Sequence, residues 1–390
     1  MQRKILSVAA AVIFTVTATV TVYAESAEKL CYLENTDNSG IGVSAVSAIL
    51  IEADTGTVLF SKNEKEHRQI ASTTKIMTAL LTLEAGEPDK EFEVDPTAIK
   101  VEGTSMGLRE GDIVTRRALC YGMLLPSGND AANASAVNIS GSKSAFAVLM
   151  NKRAEEIGMT DTNFVTPSGL DADGQYSCAY DLALLTREAM NNKDFAKICG
   201  LPKAKVSFGN PKSDRILVNS NKLLTSYDGC IGLKTGSTGK AKFCVSAAAK
   251  RGDITLISVI MAGPDSKIRF ANAATLLNYG FGICRIYKDE EPPEAGEIKV
   301  TGGKKRNILC TDREPFSYLD TEGVDFSQIE RKQIKEETLA APVKQGEKAG
   351  ELQYFLNGKQ IGSVDILTTE EVQRAGFVDY FQEGVEAFLL

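Results

Sequence analysis

The hydrophobic pattern of the chain opens with one long apolar run. Two basic residues precede a charge-free segment, 5–22, and Ala24 follows at the position of a small cleavage-site residue. A short basic start, an apolar run and a small residue are the features of a secretory signal. Residues 1–24 are therefore predicted to be a signal peptide, but the run is also long enough for a retained membrane anchor. Both interpretations imply export of the chain.

Further along, β-rich runs occur in pairs that are separated by turn residues. The first pair covers residues 48–53 and 57–60, and the second covers residues 243–249 and 254–261. Such runs, joined by short polar turns, are typical of antiparallel hairpins. We therefore predict two hairpins, with mainly helical segments between them.

The hydrophobic pattern changes in the last third of the chain. Segment 267–279 has apolar positions at helical spacing and is predicted to form a helix that ends at Gly280. In residues 283–368, charged and glycine-rich stretches punctuate short apolar runs. We predict an α/β protein of the α+β type. A helical subdomain packs on an antiparallel sheet (25–282), and a small all-β domain follows (283–368).

The final segment, 369–390, is predicted to form an amphipathic helix. Phe377, Phe381, Val385 and Phe388 fall on one face of such a helix. The segment is acidic, unlike the basic helices that bind anionic lipid. Peripheral membrane contact and docking on its own domain or on a partner are both open interpretations of this face.

The length and the charge of the chain limit its possible domain organisation and its possible partners. A chain of 390 residues exceeds what a single core usually supports, in agreement with a main domain and a smaller companion. Its formal net charge is −7, and removal of a signal peptide with two basic residues would make it −9. Acidic chains bind the nucleic-acid backbone poorly, so we expect no nucleic-acid partner.

Cysteine and histidine usage excludes several kinds of site. The eight cysteines are scattered and mostly adjoin apolar residues, which is typical of buried free thiols. The single histidine, His67, lies in a polar stretch, so a Ser-His-Asp triad would have to use it. No C-x-x-C pair is present, and we expect neither a metal nor another cofactor. Hydrolytic chemistry would then need another base, for which lysine is the available residue type.

Ser72 and Lys75 form the first candidate pair. They open an apolar run with helical spacing, so both side chains fall on one face and the amine can reach the hydroxyl. At a helix N-terminus, free N–H groups would also face the oxygen of an attached acyl group. The S-x-x-K pattern is weak by itself, because it also begins at Ser26, Ser140 and Ser237.

Two later tripeptides single out Ser72, namely Ser127-Gly128-Asn129 and Lys234-Thr235-Gly236. The three motifs occur in the order known from penicillin-binding proteins and class A β-lactamases. Ser127 could pass a proton to a leaving amine, Asn129 could hold a substrate amide, and Lys234 could bind a terminal carboxylate. Taken separately, the first tripeptide would indicate a simple turn. The second would indicate an edge-strand lysine, with Gly236 as a bulge. Their combination favours the catalytic interpretation.

The motifs and their surroundings resemble the low-molecular-mass penicillin-binding proteins, the serine-type D-alanyl-D-alanine carboxypeptidases. The segments that carry the likeness are 70–80, 125–132, 162–170 and 232–238. The likeness extends from about residue 40 to about residue 282. The resemblance implies a β-lactamase/transpeptidase-like fold, the small β domain that follows it and a C-terminal membrane contact.

The resemblance also implies roles for individual residues. Ser72 would be the acylated nucleophile, Lys75 the proton acceptor and Ser127 the proton shuttle. The substrate-holding groups would be Asn129, Lys234, Thr235 and Ser237, and the backbone N–H groups of Ser72 and Ser237 would form the oxyanion hole. One departure is Ala241-Lys242, where the family usually has Ala-Gly, and it affects the rim of the site.

The implied activity is removal of the terminal D-alanine from peptidoglycan stem peptides outside the cytoplasmic membrane, with covalent binding of β-lactam antibiotics. A β-lactamase and a non-catalytic wall-binding protein of the same fold are the alternatives. Class A β-lactamases use a glutamate to activate the deacylating water. Residues 163–170 contain no acidic residue at the corresponding place, which favours the carboxypeptidase.

Overall fold

The computed structural model describes residues 30–32, 40–312, 315–381 and 385. The segment interpreted as a signal peptide, 1–24, lies outside the described residues, as does Phe388. No helix in the described ranges combines the length and apolar character that are needed to cross a bilayer.

The first and larger part of the chain combines strands and helices. Its strands are β1 (Cys31–Tyr32), β2 (Ser47–Glu52), β3 (Thr57–Lys62), β4 (Glu91–Glu93), β5 (Ile113–Thr115), β6 (Lys203–Phe208), β7 (Ser213–Val218), β8 (Cys230–Thr238), β9 (Lys242–Arg251) and β10 (Ile254–Gly263). Its helices are α1 (Lys75–Glu84), α2 (Arg116–Leu124), α3 (Asn129–Ser140), α4 (Lys143–Ile157), α5 (Ala179–Asn191), α6 (Lys193–Cys199), α7 (Leu223–Ser226) and α8 (Ile268–Ile283).

A six-stranded sheet with the order β1-β3-β2-β10-β9-β8 forms the centre of this part. Its pairs are antiparallel, except that β1 runs parallel to β3. Both predicted hairpins, β2–β3 and β9–β10, are confirmed. Side chains alternate between two apolar layers: Ile49 and Ile51 face the helices α1 to α5, and Ala48 and Leu50 face α8.

Helix α8 differs from its prediction at the C-terminal end. It does not end at Gly280 but continues to Ile283. A Cβ at position 280 would lie 2.6 Å from Leu256 Cδ1 and 2.9 Å from Leu50 Cδ2. The glycine therefore serves close packing of the helix on the sheet rather than helix termination.

The second part of the chain is a small all-β domain. Its strands are β11 (Arg285–Lys288), β12 (Glu297–Thr301), β13 (Asn307–Asp312), β14 (Ser317–Asp320), β15 (Ile329–Lys335), β16 (Thr338–Ala340), β17 (Lys348–Leu356) and β18 (Lys359–Thr368). Six of them form a sheet with the order β15-β17-β18-β13-β12-β16, and β11 pairs with β14. The predicted α+β fold class, with a following β domain, is confirmed.

The chain continues past β18 into a C-terminal segment that is tied to the β domain and then turns helical at residues 377–381. Phe377 and Phe381 are 84% and 64% exposed. The aromatic face that the sequence predicted is therefore uncovered at these positions, and neither ring docks on the domain.

Most of the cysteines lie in the core. Cys120, Cys178, Cys199, Cys244, Cys284 and Cys310 are buried, whereas Cys31 is exposed and Cys230 is half-buried. Burial raises the pKa of the Cys244 thiol to about 11 and thereby keeps it in the unreactive protonated form. The expectation of buried thiols holds for six of the eight.

Candidate active site

Ser72 lies in a 3-10 turn, Ala71–Thr74, that leads directly into α1. The sequence predicted the serine at the N-terminus of the α-helix, but α1 begins three residues later, at Lys75. The reason is local: Ala71 adopts a left-handed φ of 48°, and the Lys75 N–H closes an i to i+3 bond to the Ser72 carbonyl. The tight turn still brings the side chains of Ser72 and Lys75 to the same side of the chain.

The amine of Lys75 is fully buried and makes three hydrogen bonds. Its Nζ lies 2.9 Å from Ser72 Oγ, 2.7 Å from Asn129 Oδ1 and 2.6 Å from the carbonyl oxygen of Ser168. Burial holds the pKa of this amine well below its usual value, and the positive charge of Lys234 adds to the effect, whereas Asp130 opposes it. The geometry suits a neutral amine that accepts the Ser72 proton.

The Ser127-Gly128-Asn129 tripeptide forms the turn that leads into α3. Ser127 has a left-handed φ of 68°, and its carbonyl accepts a 2.5 Å hydrogen bond from Thr104 Oγ1. Asn129 Nδ2 donates to the carbonyl of Glu102 at 2.7 Å, which directs Oδ1 toward Lys75. A turn and a catalytic element were alternatives in the sequence, and the structure shows that the turn presents Asn129 to the amine.

Asp130 supports this turn, and the sequence analysis did not single it out. Its buried carboxylate accepts hydrogen bonds from Ser105 Oγ and from the backbone N–H groups of residues 106, 107 and 108. A Cβ at Gly128 would lie 2.7 Å from Asp130 Oδ1 and 2.9 Å from the Met106 nitrogen. The glycine therefore permits the close contact between the turn and the 105–108 loop. The only sequence signal was the position of Asp130, directly after the tripeptide.

Lys234-Thr235-Gly236 lies on β8, an edge strand of the central sheet, as the lysine pattern indicated. The register irregularity of β8 falls between Cys230 and Gly232, so Gly236 is not a bulge. A Cβ at Gly236 would lie 2.9 Å from the Ile70 carbonyl oxygen and 3.0 Å from the Ser72 nitrogen. The glycine thus lets the strand approach the backbone of the serine turn.

Lys234 is the second buried lysine of the site. Its Nζ donates to the Thr235 carbonyl at 2.8 Å. Burial, assisted by the nearby Arg269 guanidinium, lowers the pKa of Lys234 to about 7. Arg269 comes from α8 and donates to the carbonyl of Gly236 at 3.0 Å. For the pKa of Lys75, burial is a larger cause than the charge of Lys234.

The remaining predicted residues lie on the same strand. Thr235 Oγ1 is 2.8 Å from Ser220 Oγ, and the Ser220 N–H donates to the Leu125 carbonyl at 3.1 Å. This link ties β8 to the segment that carries Ser127. Ser237 is exposed and pairs with Phe243 of β9. The structure thus joins Ser72, Lys75 and Asn129 directly and places the β8 residues and Ser127 around them.

His67 takes no part in these contacts. Its Nε2 lies 3.0 Å from Asp161 Oδ1, and its ring stacks on Tyr176 with centroids 4.4 Å apart. The side chain is half exposed. These contacts assign His67 to a polar surface cluster, as its sequence surroundings indicated.

One group in the described ranges offers donor atoms of the kind that hold metals. A ligand atom from each of Asp161, Cys178 and Asp181 lies within 4.8 Å of the others. Burial raises the pKa of Cys178 to about 12 and also raises the pKa of Asp181. Asp181 Oδ2 accepts from the Asp161 N–H at 2.8 Å and from Thr162 Oγ1 at 2.7 Å. These bonds fit a hydrogen-bonded support for the start of α5 better than a metal site.

The loop of residues 163–176 presents the Ser168 carbonyl to Lys75. Gln175 is buried, and its Oε1 accepts from the N–H of Thr166 at 2.8 Å and from Thr166 Oγ1 at 2.9 Å. Its Nε2 donates to the Leu170 carbonyl at 3.2 Å. The amide thus fixes both ends of the turn that contains Ser168. No sequence pattern marks this carbonyl, because every residue type has the same backbone carbonyl group.

Gly169 in this turn provides a specific test. It has a φ of +81°, and a Cβ there would lie 1.9 Å from the Ala71 carbonyl oxygen. We expect Gly169→Ala to lose about 1–2 kcal/mol from the left-handed backbone and a further ~1–3 kcal/mol from the collision. We also expect penicillin acylation to slow at least tenfold, since the Ser168 carbonyl must shift.

Gly174→Ala is the matched control, with thermal unfolding and acylation rate as the measurements. Its φ is +80°, but a Cβ there meets only Asn163 Nδ2 at 3.7 Å. This variant should show the backbone cost alone and acylate normally. Equal behaviour of the two variants would contradict the proposed contact between the loop and the serine turn.

Comparison with known proteins identifies the family. The model of the D-alanyl-D-alanine carboxypeptidase family matches residues 34–265. The model of the penicillin-binding protein 5 C-terminal domain matches residues 284–374. The two matches follow each other along the chain, in the order of the α+β part and the β domain.

Curated relatives and solved structures agree with these matches. D-alanyl-D-alanine carboxypeptidase DacF of Bacillus subtilis is 34% identical, over 88% of this chain and 90% of its own length. D-alanyl-D-alanine carboxypeptidase DacC of Escherichia coli is 32% identical, over 86% of this chain and 86% of its own length. The crystal structure of penicillin-binding protein 5 from Haemophilus influenzae superimposes with a TM-score of 0.71 at 27% identity, covering 85% of this chain and 98% of that one. The chain therefore belongs to the D-alanyl-D-alanine carboxypeptidase family of low-molecular-mass penicillin-binding proteins.

Proposed function

We propose that this carboxypeptidase removes the terminal D-alanine of peptidoglycan stem peptides through an acyl-enzyme on Ser72. The observation that carries the proposal is the buried Lys75 amine, 2.9 Å from Ser72 Oγ and with a strongly lowered pKa. A neutral amine at this distance is a general base for the hydroxyl. Family membership supplies the reaction, and the contacts of Lys75 support the assignment of the nucleophile.

In the acylation step, Lys75 takes the proton of Ser72 Oγ, and the oxygen attacks the carbonyl carbon of the penultimate D-alanine. The backbone N–H groups of Ser72 and Ser237 stabilise the negative charge on the carbonyl oxygen. Ser127 relays the proton from Lys75 to the leaving nitrogen, the C–N bond breaks, and free D-alanine departs, which leaves Lys75 neutral again. Lys75 then takes a proton from a water molecule, and the water oxygen attacks the ester. The bond to Ser72 Oγ breaks, this oxygen takes the proton back from Lys75, and the shortened peptide is released.

The substrate is held by the groups that surround this centre. Asn129 contacts a substrate amide, while Lys234 and Thr235 bind the terminal carboxylate, and Ser237 lies at the exposed end of the same strand. The pKa of Lys234 is about 7 without a counter-ion. A bound carboxylate favours its protonated form and raises this pKa. Carboxylate binding should therefore weaken as the pH rises above 7.

A β-lactamase and a non-catalytic wall-binding protein are less well supported. The hydrogen-bond partners of the Lys75 amine are a hydroxyl, an amide oxygen and a backbone carbonyl, none of them a carboxylate. The 163–170 segment, where a deacylating glutamate would lie, presents the Ser168 carbonyl instead. A non-catalytic role would leave the buried Lys75 amine beside Ser72 unexplained, because removing an amine from water costs free energy that an apolar side chain at this position would not incur.

The substrate also determines where the enzyme acts. Peptidoglycan lies outside the cytoplasmic membrane, so we infer that the chain is exported and works there. We further propose that the C-terminal helix makes a peripheral membrane contact. The exposure of Phe377 and Phe381 supports this second proposal.

The proposed function predicts opposite behaviour toward two substrates in one preparation. A peptide that ends in D-alanyl-D-alanine should release D-alanine over many turnovers, which a coupled D-amino-acid oxidase assay measures. Penicillin should bind in a 1:1 ratio and leave slowly, because its retained ring blocks the water that hydrolyses the ester. Rapid, repeated hydrolysis of penicillin without release of D-alanine would instead identify a β-lactamase.

A further inference from the structure

The segment 168–171 contacts two parts of the active site that come from distant regions of the chain. At its first residue, the carbonyl oxygen of Ser168 lies 2.6 Å from Lys75 Nζ. At its last residue, Asp171 Oδ1 accepts a hydrogen bond from Thr238 Oγ1 at 2.7 Å. Thr238 is the final residue of β8, the edge strand that borders the site. The segment therefore links the proposed base to the end of this strand.

Hydrogen bonds within the surrounding loop hold the middle of the segment. The Gly169 N–H donates to Thr166 Oγ1 at 3.2 Å. The Leu170 carbonyl accepts a hydrogen bond from Gln175 Nε2 at 3.2 Å. Both residues between the two ends of the segment are therefore fixed by other parts of the loop. As a result, the segment is held as a unit between its contacts with the base and with β8.

The Thr238 hydroxyl has a fixed direction at the turn from β8 to β9. Its Oγ1 accepts a hydrogen bond from the Ala241 N–H at 3.0 Å and donates to the Asp171 carboxylate. A hydroxyl has a single proton to donate, so these two bonds determine where it points. A carboxylate acceptor also makes a stronger bond than a neutral one. Asp171 thus holds the end of β8 against the 168–171 segment.

The proposed oxyanion donor, the Ser237 N–H, lies between two residues whose positions are fixed. On one side, a Cβ at Gly236 would lie 3.0 Å from the Ser72 nitrogen, so the strand packs closely on the serine turn. On the other side, Asp171 holds Thr238. An oxyanion is stabilised only when its donors lie within about 2.7–3.1 Å of the developing charge. The distance between the two proposed donors therefore depends on both contacts.

We propose that Asp171 is a positioning residue for acylation. Through Thr238 it holds the Ser237 N–H in place, and the segment that it ends holds the proposed base. This inference rests on the proposed function and adds a side chain that acts through other residues. Asp171 is exposed and Thr238 is half-buried, so both can be replaced without opening the core. Loss of their bond should slow acylation, because reacting groups that are misplaced by a fraction of an ångström lose rate.

The rate constant of penicillin acylation, measured on the mature chain by rapid mixing, tests this proposal. We expect Asp171→Ala and Thr238→Val each to lower it about tenfold, less than the ~10²- to 10³-fold that follows complete loss of an oxyanion donor. The double variant should be no slower than either single variant, because both substitutions remove the same bond. Asp171→Asn and Thr238→Ser keep an acceptor and a hydroxyl, and they should stay within about threefold of the unaltered chain.

The matched control is Asp173→Ala, which removes another exposed carboxylate from the same loop and should acylate at the normal rate. A purely structural role of Asp171 would lower the unfolding temperature or the fraction of chains that are labelled, but not the rate constant of the labelled chains. An unchanged rate constant in Asp171→Ala, or single losses that multiply in the double variant, would overturn the proposal. Failure of penicillin to acylate the unaltered chain would instead contradict the proposed function.

Discussion

Replacing Ser72 with alanine is expected to abolish both penicillin labelling and D-alanine release, each by ~10⁴-fold or more. The substitution removes the only oxygen that we assign as nucleophile. The fold should survive, because the Lys75 amine keeps its bonds to Asn129 Oδ1 and the Ser168 carbonyl. Fluorescent penicillin labelling, a D-alanine assay and thermal unfolding together separate loss of chemistry from loss of structure.

Ser140 provides the control for this experiment. It begins another S-x-x-K pattern in the chain, at the C-terminal end of α3. The Ser140→Ala variant should be labelled by penicillin, and should release D-alanine, like the unaltered enzyme. If Ser72→Ala were still labelled at a normal rate, or if Ser140→Ala lost labelling while folded, the assignment of the nucleophile would be wrong.

Replacing Lys75 with arginine is expected to slow acylation by about 10²- to 10⁴-fold, the usual contribution of a general base. Burial keeps the pKa of the lysine well below its ordinary value, which favours the neutral amine that a general base requires. A guanidinium stays protonated and cannot accept the serine proton. Its planar fork also does not reproduce the bonds of one nitrogen to three partners.

Lys234→Arg is the matched comparison, because it makes the same change at the other buried lysine. We assign Lys234 to carboxylate binding, a role in which a permanent cation can substitute in part. The Lys234 variant should therefore mainly raise KM for the peptide, whereas the Lys75 variant should mainly lower kcat and the acylation rate. Normal acylation by Lys75→Arg would contradict the lysine-base assignment.

The sequence predicted the parts of the site that depend on residue type and short spacing. Ser72 and Lys75 are three residues apart, so their contact follows from any helical turn. For Lys234, an edge-strand position was the alternative interpretation of the tripeptide, and the residue lies on the edge strand β8. The family resemblance assigned roles to these residues, and the contacts of Lys75 support its role as proton acceptor.

Contacts that depend on distant backbone could not be predicted. The Ser168 carbonyl binds an amine 93 residues away, and no side chain marks it. The predicted helix end at Gly280 is wrong for a related reason, as is the alternative that made Gly236 a bulge. Gly280 lies within a helix and Gly236 within a regular strand pairing. Both glycines allow another element to approach closely. Single-sequence rules assign glycine to turns and bulges, since they contain no information on tertiary contacts.

Peptide-mapping mass spectrometry after exposure to penicillin is the most direct test of Ser72 as the acylated nucleophile. We expect one penicilloyl adduct per chain, on the peptide that contains Ser72, and persistence of that adduct after free penicillin is removed. An adduct on a different residue, such as Ser127 or Ser237, would contradict this assignment. So would an unmodified chain in a solution where penicillin has been hydrolysed.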